Sequence, residues 1–168
     1  MPVQEKRAGV LDTPLGKDKL AIVRFDGSEG VNELFEWRLE AVSAEGDIDF
    51  DGLIGKHATL TINGVNGRKR KFDGIVTEAR WLGVRDHFHA YRLVLRPWLW
   101  VLSQRTDNYI FHEMSVTDII ADVFSDYGAL AEFDDRTSAA YPPIEYRAQY
   151  RESDMALETR LMEEIGIS

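Results

Sequence analysis

The stretch Phe35-Glu36-Trp37-Arg38-Leu39-Glu40-Ala41-Val42 decides the fold class. Phe35, Trp37, Leu39 and Ala41 alternate with Glu36, Arg38, Glu40 and Val42, a period of two with one apolar and one largely charged face. A strand of this kind lies half buried on an antiparallel sheet, one side on a core and the other in water.

Strand signals extend outward in both directions. Upstream, Leu20 to Phe25 is a short β-rich run closed by the turn pair Asp26-Gly27. Before it, residues 1–18 mix charge, Pro and Gly without periodicity and read as a flexible arm. Downstream, Gly46 to Gly55 reads as a loop, and then Ala58, Leu60 and Ile62 alternate with His57, Thr59 and Thr61. The segment Asn63-Gly64-Val65-Asn66-Gly67 holds two Asn-Gly pairs, which tolerate positive φ and mark a hairpin. The returning strand runs through Phe72, Ile75 and Trp81, and its apolar parity slips at Asp73-Gly74, where a β-bulge is expected. A turn near Gly83 leads to a strand carrying Tyr91, Leu93 and Leu95, which ends at Arg96-Pro97.

The pattern changes at Pro97. Trp98 to Leu102 is densely apolar, and Pro at a first helical position predicts a short helix packing under the barrel. Ser115-x-x-Asp118 is a capping box opening a helix whose stripe is Ile119, Ile120, Val123, Phe124 and Tyr127, stopped by Gly128. Residues 129–152 read as extended around Tyr141-Pro142-Pro143. Ser153 opens a last helix striped by Leu157, Leu161, Met162 and Ile165, with Gly166 at its stop. A single apolar residue, Ile167, follows that Gly like the entrance to a further strand, so a fragment of something longer is expected. The fold class is therefore mainly β with some α (α+β). An arm over 1–18 leads into a barrel-like antiparallel module over 19–96, and a helix-containing, truncated second α/β module covers 97–168.

Composition narrows the functions. The chain has 168 residues, 44% hydrophobic and 29% charged, with four Trp and no Cys. That supports a folded core and removes disulfide scaffolds, thiolate zinc sites and thiol catalysis. No apolar run approaches the roughly 20 residues of a membrane helix, and no basic-then-apolar N-terminus marks a signal peptide. A net charge of −9 argues against wrapping nucleic acid.

Motifs with chemical meaning are few. Asp47-Ile48-Asp49-Phe50-Asp51-Gly52 matches the first six positions of a calcium loop, but Ala58 stands where the bidentate Glu belongs, and an acidic surface loop is the better reading. His87 and His89, two apart on a strand, share a face, yet neither His57 nor His112 is placed beside them as a third ligand. There is no G-x-S-x-G elbow and no glycine-rich phosphate loop. No catalytic, cofactor-binding or metal residue is assigned, and no cofactor is expected. Arg68-Lys69-Arg70-Lys71 is the one basic run, read as a solvated hairpin tip able to meet an acidic partner protein. Trp37, Trp81, Trp98 and Trp100 are read as core aromatics rather than partner contacts.

Taken in order, several segments carry a resemblance. They are Phe35 to Leu39, Leu53-Ile54-Gly55-Lys56, Phe72-Asp73-Gly74-Ile75-Val76, Tyr91 to Trp100, Ile110-Phe111, Ser115 to Ile120, Tyr150 to Asp154 and Arg160 to Glu164. Their succession, from about Leu20 to Ile167, resembles the N-terminal hub region of VgrG, the type VI secretion spike family related to contractile-phage tail hubs. The end departs from that pattern, reading Glu164-Ile165-Gly166-Ile167-Ser168 where the family tends to have a further acid before Gly and aromatics after Ile. The resemblance implies a non-enzymatic structural role: a homotrimeric hub of barrel-like modules that caps an inner tube of stacked Hcp rings beside baseplate proteins. It further implies effectors carried by later regions, assembly in the cytoplasm and export by the type VI machine. Alternatives are a phage or prophage baseplate hub, a cell-wall carbohydrate-active domain, and a β-rich module binding through its basic hairpin.

Overall fold

The computed structural model describes residues 8–64 and 66–167. Its chain falls into two compact units, Met1–Pro97 and Trp98–Ser168.

The first unit is one curled antiparallel sheet. Its strands are β1 (Gly9–Asp12), β2 (Ala21–Gly30), β3 (Glu33–Ser43), β4 (His57–Asn63), β5 (Lys69–Arg85) and β6 (Phe88–Arg96), in the order β1-β4-β5-β6-β3-β2. The alternation in β3 becomes packing here. Trp37, Leu39 and Ala41 pair across with Leu95, Leu93 and Tyr91, and all six are buried. Between them Arg38 and Glu40 pair with Val94 and Arg92 on the other face. An aromatic cluster fills the concave side, with Phe35 stacked on Trp37 at 5.1 Å, Phe25 beside Phe72 at 4.6 Å, and Trp37 edge-on to Phe72 at 5.2 Å.

Five sequence expectations change in this unit. Asp26-Gly27 is not a turn: it lies inside β2, paired with Arg38 and Trp37 of β3, and the chain reverses after Gly30 instead. The arm is not without structure, because Gly9–Asp12 adds β1 to β4 and Leu11, 2% exposed, enters the core. Four residues with one deeply buried side chain are too short to show a period; residues 1–7 lie outside the described residues. The bulge is not at Asp73-Gly74. Lys69 to Ile75 pair with β4 without a break, keeping Phe72 and Gly74 on one parity although Ile75 is buried as well, and the register slips later, between Val76 and Glu78 and between Trp81 and Gly83. Gly74 hid this parity by contributing no apolar side chain. A Cβ there would stand 2.9 Å from the Arg96 carbonyl oxygen and 3.1 Å from Phe35. The following turn is at Asp86-His87, not Gly83, with φ of 47° and 68° as a two-residue hairpin requires. Lastly, Trp81 lies beyond the bulge and is 50% exposed.

The second unit pairs β7 (Thr106–Met114) with β8 (Ile144–Ser153) and packs them with α1 (Val116–Ser125) and α2 (Asp154–Ile165). The helix expected from Pro97 is a 3-10 helix, Trp98–Gln104, and its Leu102 enters this unit's core. The capping box forms as read: Asp118 N donates to Ser115 Oγ at 3.1 Å, and Ser115 N donates to Asp118 Oδ2 at 3.3 Å. Ser153 caps α2, which stops at Gly166 in the left-handed conformation. The core joins Leu102, Phe111, Val116, Ile119, Phe124, Leu157 and Leu161.

Candidate assembly surface

The residues considered for metal chemistry do not converge. Among the described residues no group of three or more His, Asp or Glu could hold an ion. In the Asp47–Gly52 loop the carboxylate of Asp49 accepts the Asp51 N–H at 3.0 Å, which is loop-closing geometry, and Ile48 turns into the core. His87 sits in the hairpin turn and His89 on β6, so they do not share a strand face. The His89 ring lies over Gly46 and near Trp81, with centroids 6.3 Å apart. His57 is tied to Asp73 at 2.8 Å, and His112 stands beside Tyr146.

What the first unit offers is edges and ends. At the seam, β1 and β2 lie side by side without a ladder, around a groove of about 410 Å³ lined by Gly9, Ile22, Val23, Phe25 and Leu60. β1 has four residues against ten in β2, so much of the outer edge of β2 is unpaired and studded with Arg24, Asp26 and Glu29. On the convex face Arg96 joins Glu36 at 2.6 Å and Glu78 at 2.9 Å, while Arg92 holds Glu40 at 2.9 Å. Hydrogen bonding from Arg96 keeps the Glu36 carboxyl below its usual range, and Arg92 does the same for Glu40.

The Asn-Gly hairpin projects the basic run. Gly64 N donates to Arg68 O at 2.7 Å to close the loop. All four cations are exposed, and Arg70 alone of them has an ion-pair partner among the described residues, Glu29.

The second unit holds buried polar groups that the sequence reading did not single out. Asp154, 2% exposed, accepts from Gln149 at 2.7 Å and from the Tyr127 hydroxyl. Arg105 bridges Asp107 at 2.9 Å and Asp126 at 2.6 Å, and all three line a small cavity with Gln149 and Asp154. Burial, then the hydrogen bond to Asp154, drives the Tyr127 hydroxyl well above the usual tyrosine range. One turn along α2, Glu158 is 1% exposed, and neither carboxylate oxygen finds a partner among the described residues. Burial first and Asp154 second push it up to about 8. The signal was present: Glu158 stands three, four and seven residues before Leu161, Met162 and Ile165, on the apolar stripe itself.

A wider groove of about 730 Å³ runs along α1 beside residues 132–139, lined by Trp98, Phe124 and Tyr141 with Asp134 and Asp135 on its rim. Asp134 is paired with Arg136. The Thr137 backbone N–H lowers the Asp135 carboxyl, the opposite of what a proton-donating acid needs. The outer face of the β7–β8 ribbon is bare, presenting Ile110, Tyr146 and Tyr150.

The model of the phage tail baseplate hub (GPD) family matches residues 28–168. The chain belongs to that family. Similar hub-family sequences are the type VI secretion spike proteins VgrG1b and VgrG1c of Pseudomonas aeruginosa, 39% and 38% identical over 98% of this chain. The chain spans 22% of the length of each. Among solved structures, the E. coli c3393 protein, described as a type VI component structurally similar to T4 tail proteins gp27 and gp5, superposes with a TM-score of 0.74 at 18% identity. That superposition covers 92% of this chain and 43% of the other. A prophage MuSo2 tail protein from Shewanella oneidensis gives 0.52 at 16%, covering 94% and 43%. These two likenesses show the hub fold: a curled antiparallel half-barrel sheet with a second, smaller sheet.

Proposed function

We propose that this chain is a structural, non-enzymatic part of a type VI secretion spike, the N-terminal hub region that trimerises and caps an inner tube of Hcp rings. In this reading its two modules divide near Pro97 and the assembled spike leaves the cytoplasm when the machine fires. The observation that carries it is the family match together with VgrG relatives aligned over almost the whole chain. The physical anatomy agrees. An unpaired β2 edge and a bare aromatic ribbon are costly on an isolated chain and useful in a symmetric ring that buries them.

The test is assembly. Native mass spectrometry and co-purification with Hcp-type rings are expected to give trimers that join rings; a chain that stays monomeric and never joins them overturns the proposal. The MuSo2 likeness favours one second reading, a prophage baseplate hub doing the same mechanical work. Neighbouring genes for capsid and terminase, in place of sheath and membrane-complex components, would select it.

A further inference from the structure

The hairpin tip concentrates cations on a chain whose formal charge is −9; without those four residues the remainder is more negative still. Arg68, Lys69 and Lys71 are exposed, and no acid among the described residues pairs with them. Lys69 and Lys71, two apart on β5, share the outer face, opposite Asn63 and Thr61 of β4. Arg70 faces the other way, joined to Glu29 and lying over the Phe72 ring at 4.6 Å, so it braces the tip against the sheet. The tip is therefore a held cationic surface, not a loose tail.

The other end of the same strand has the opposite character. The loop entering β4 exposes Asp47, Asp49 and Asp51, and no cation among the described residues pairs with them. The seven residues of β4 set the two ends roughly 20 Å apart. A cationic hairpin at one end of β4 and an aspartate-bearing loop before the other, with Glu29 and Lys56 as single opposite charges beside them, can attract a second copy head to tail, and such a heterologous contact closes into a ring when the rotation allows.

We propose that the Arg68–Lys71 hairpin is an electrostatic docking surface for the acidic face of a second copy of this chain. This rests on the ring reading above and deepens it by naming the contact. Specificity follows from charge, since like ends repel and opposite ends steer into register.

The experiment mixes isotopically light and heavy full chains at low salt with a zero-length carbodiimide coupler, which joins amines only to carboxylates they touch. Expected are mixed light-heavy links from Lys69 or Lys71, with Asp47, Asp49 or Asp51 among the acceptors. Self-association should weaken at least roughly tenfold between about 0.05 and 0.5 M salt, and to a similar degree in R68E/K69E/K71E. A control reversing the exposed cations Arg80 and Arg151 should keep its affinity within about twofold. Association that survives the tip reversal, or links confined to one chain, overturns the tip while leaving the ring reading intact. A chain monomeric at every salt overturns both. A tip that shifts duplex DNA and gives no mixed links overturns it in favour of nucleic acid.

Discussion

Glu158 carries a carboxylate into the second unit's interior without a hydrogen-bond partner among the described residues, and its neighbour Asp154 is also an acid. Because its pKa is pushed up to about 8 from an ordinary 4.5, the folded state holds a proton that the unfolded chain releases at neutral pH. The proton thus favours folding fully below about pH 4.5, and that contribution drains away as pH rises through 8. Replacing the acid with an apolar side chain removes the cost. Glu158→Leu is expected to stabilise the protein by about 1–3 kcal/mol at pH 8 and to flatten the decline in melting temperature between pH 5 and 8. Thermal melts across that range check it, and matching pH profiles for the variant and the parent would contradict the assignment. Gly74 is the steric counterpart. Gly74→Val would drive carbons into the Arg96 carbonyl and Phe35, and about 2–4 kcal/mol of stability should be lost in urea titration, with Asp73→Ser beside it as a tolerated comparison.

At the scale of elements, caps and alternation were legible because each is a local chemical requirement. Ser115 and Asp118 satisfy helix N–H and cap groups whatever surrounds them, so their spacing alone located α1. Ser115→Ala should cost about 1 kcal/mol in chemical denaturation, with Asp118→Ala giving a smaller loss; a neutral Ser115→Ala would mean that packing, not the cap, fixes the helix start. The alternation in β3 was equally readable, since one face meets the core and the other meets Arg92 and Arg96. Illegible features depended on distant partners. β1 is a strand because β4 lies beside it, and the exposure of Trp81 follows from register slips set by pairing with β6. Among the candidate residues, the basic hairpin was visible from its Asn-Gly pairs. Glu158 is illegible in the sequence because a charged residue on a stripe reads as solvated, and only the packing of α2 shows its burial.

For the whole molecule, the two units carry opposite pH liabilities. In the first, Glu36 and Glu40 are held below the ordinary carboxyl range by Arg96 and Arg92, so their contribution is present above about pH 4.5 and fades as acid protonates them. In the second, Glu158 penalises the alkaline side. Calorimetry from pH 5 to 8 should therefore lower the transition of the second unit and leave that of the first in place. Equal shifts of both would place the titrating acid elsewhere. The seam between β1 and β2 has a consequence for biogenesis as well. During synthesis β1 leaves the ribosome well before β4, so Leu11 waits for Leu60, and the β2–β3 hairpin is complete long before β4 exists. A nascent hub thus passes through a stage with its first strand untethered and the matching edge of β4 vacant, so several chains made close together can exchange that strand.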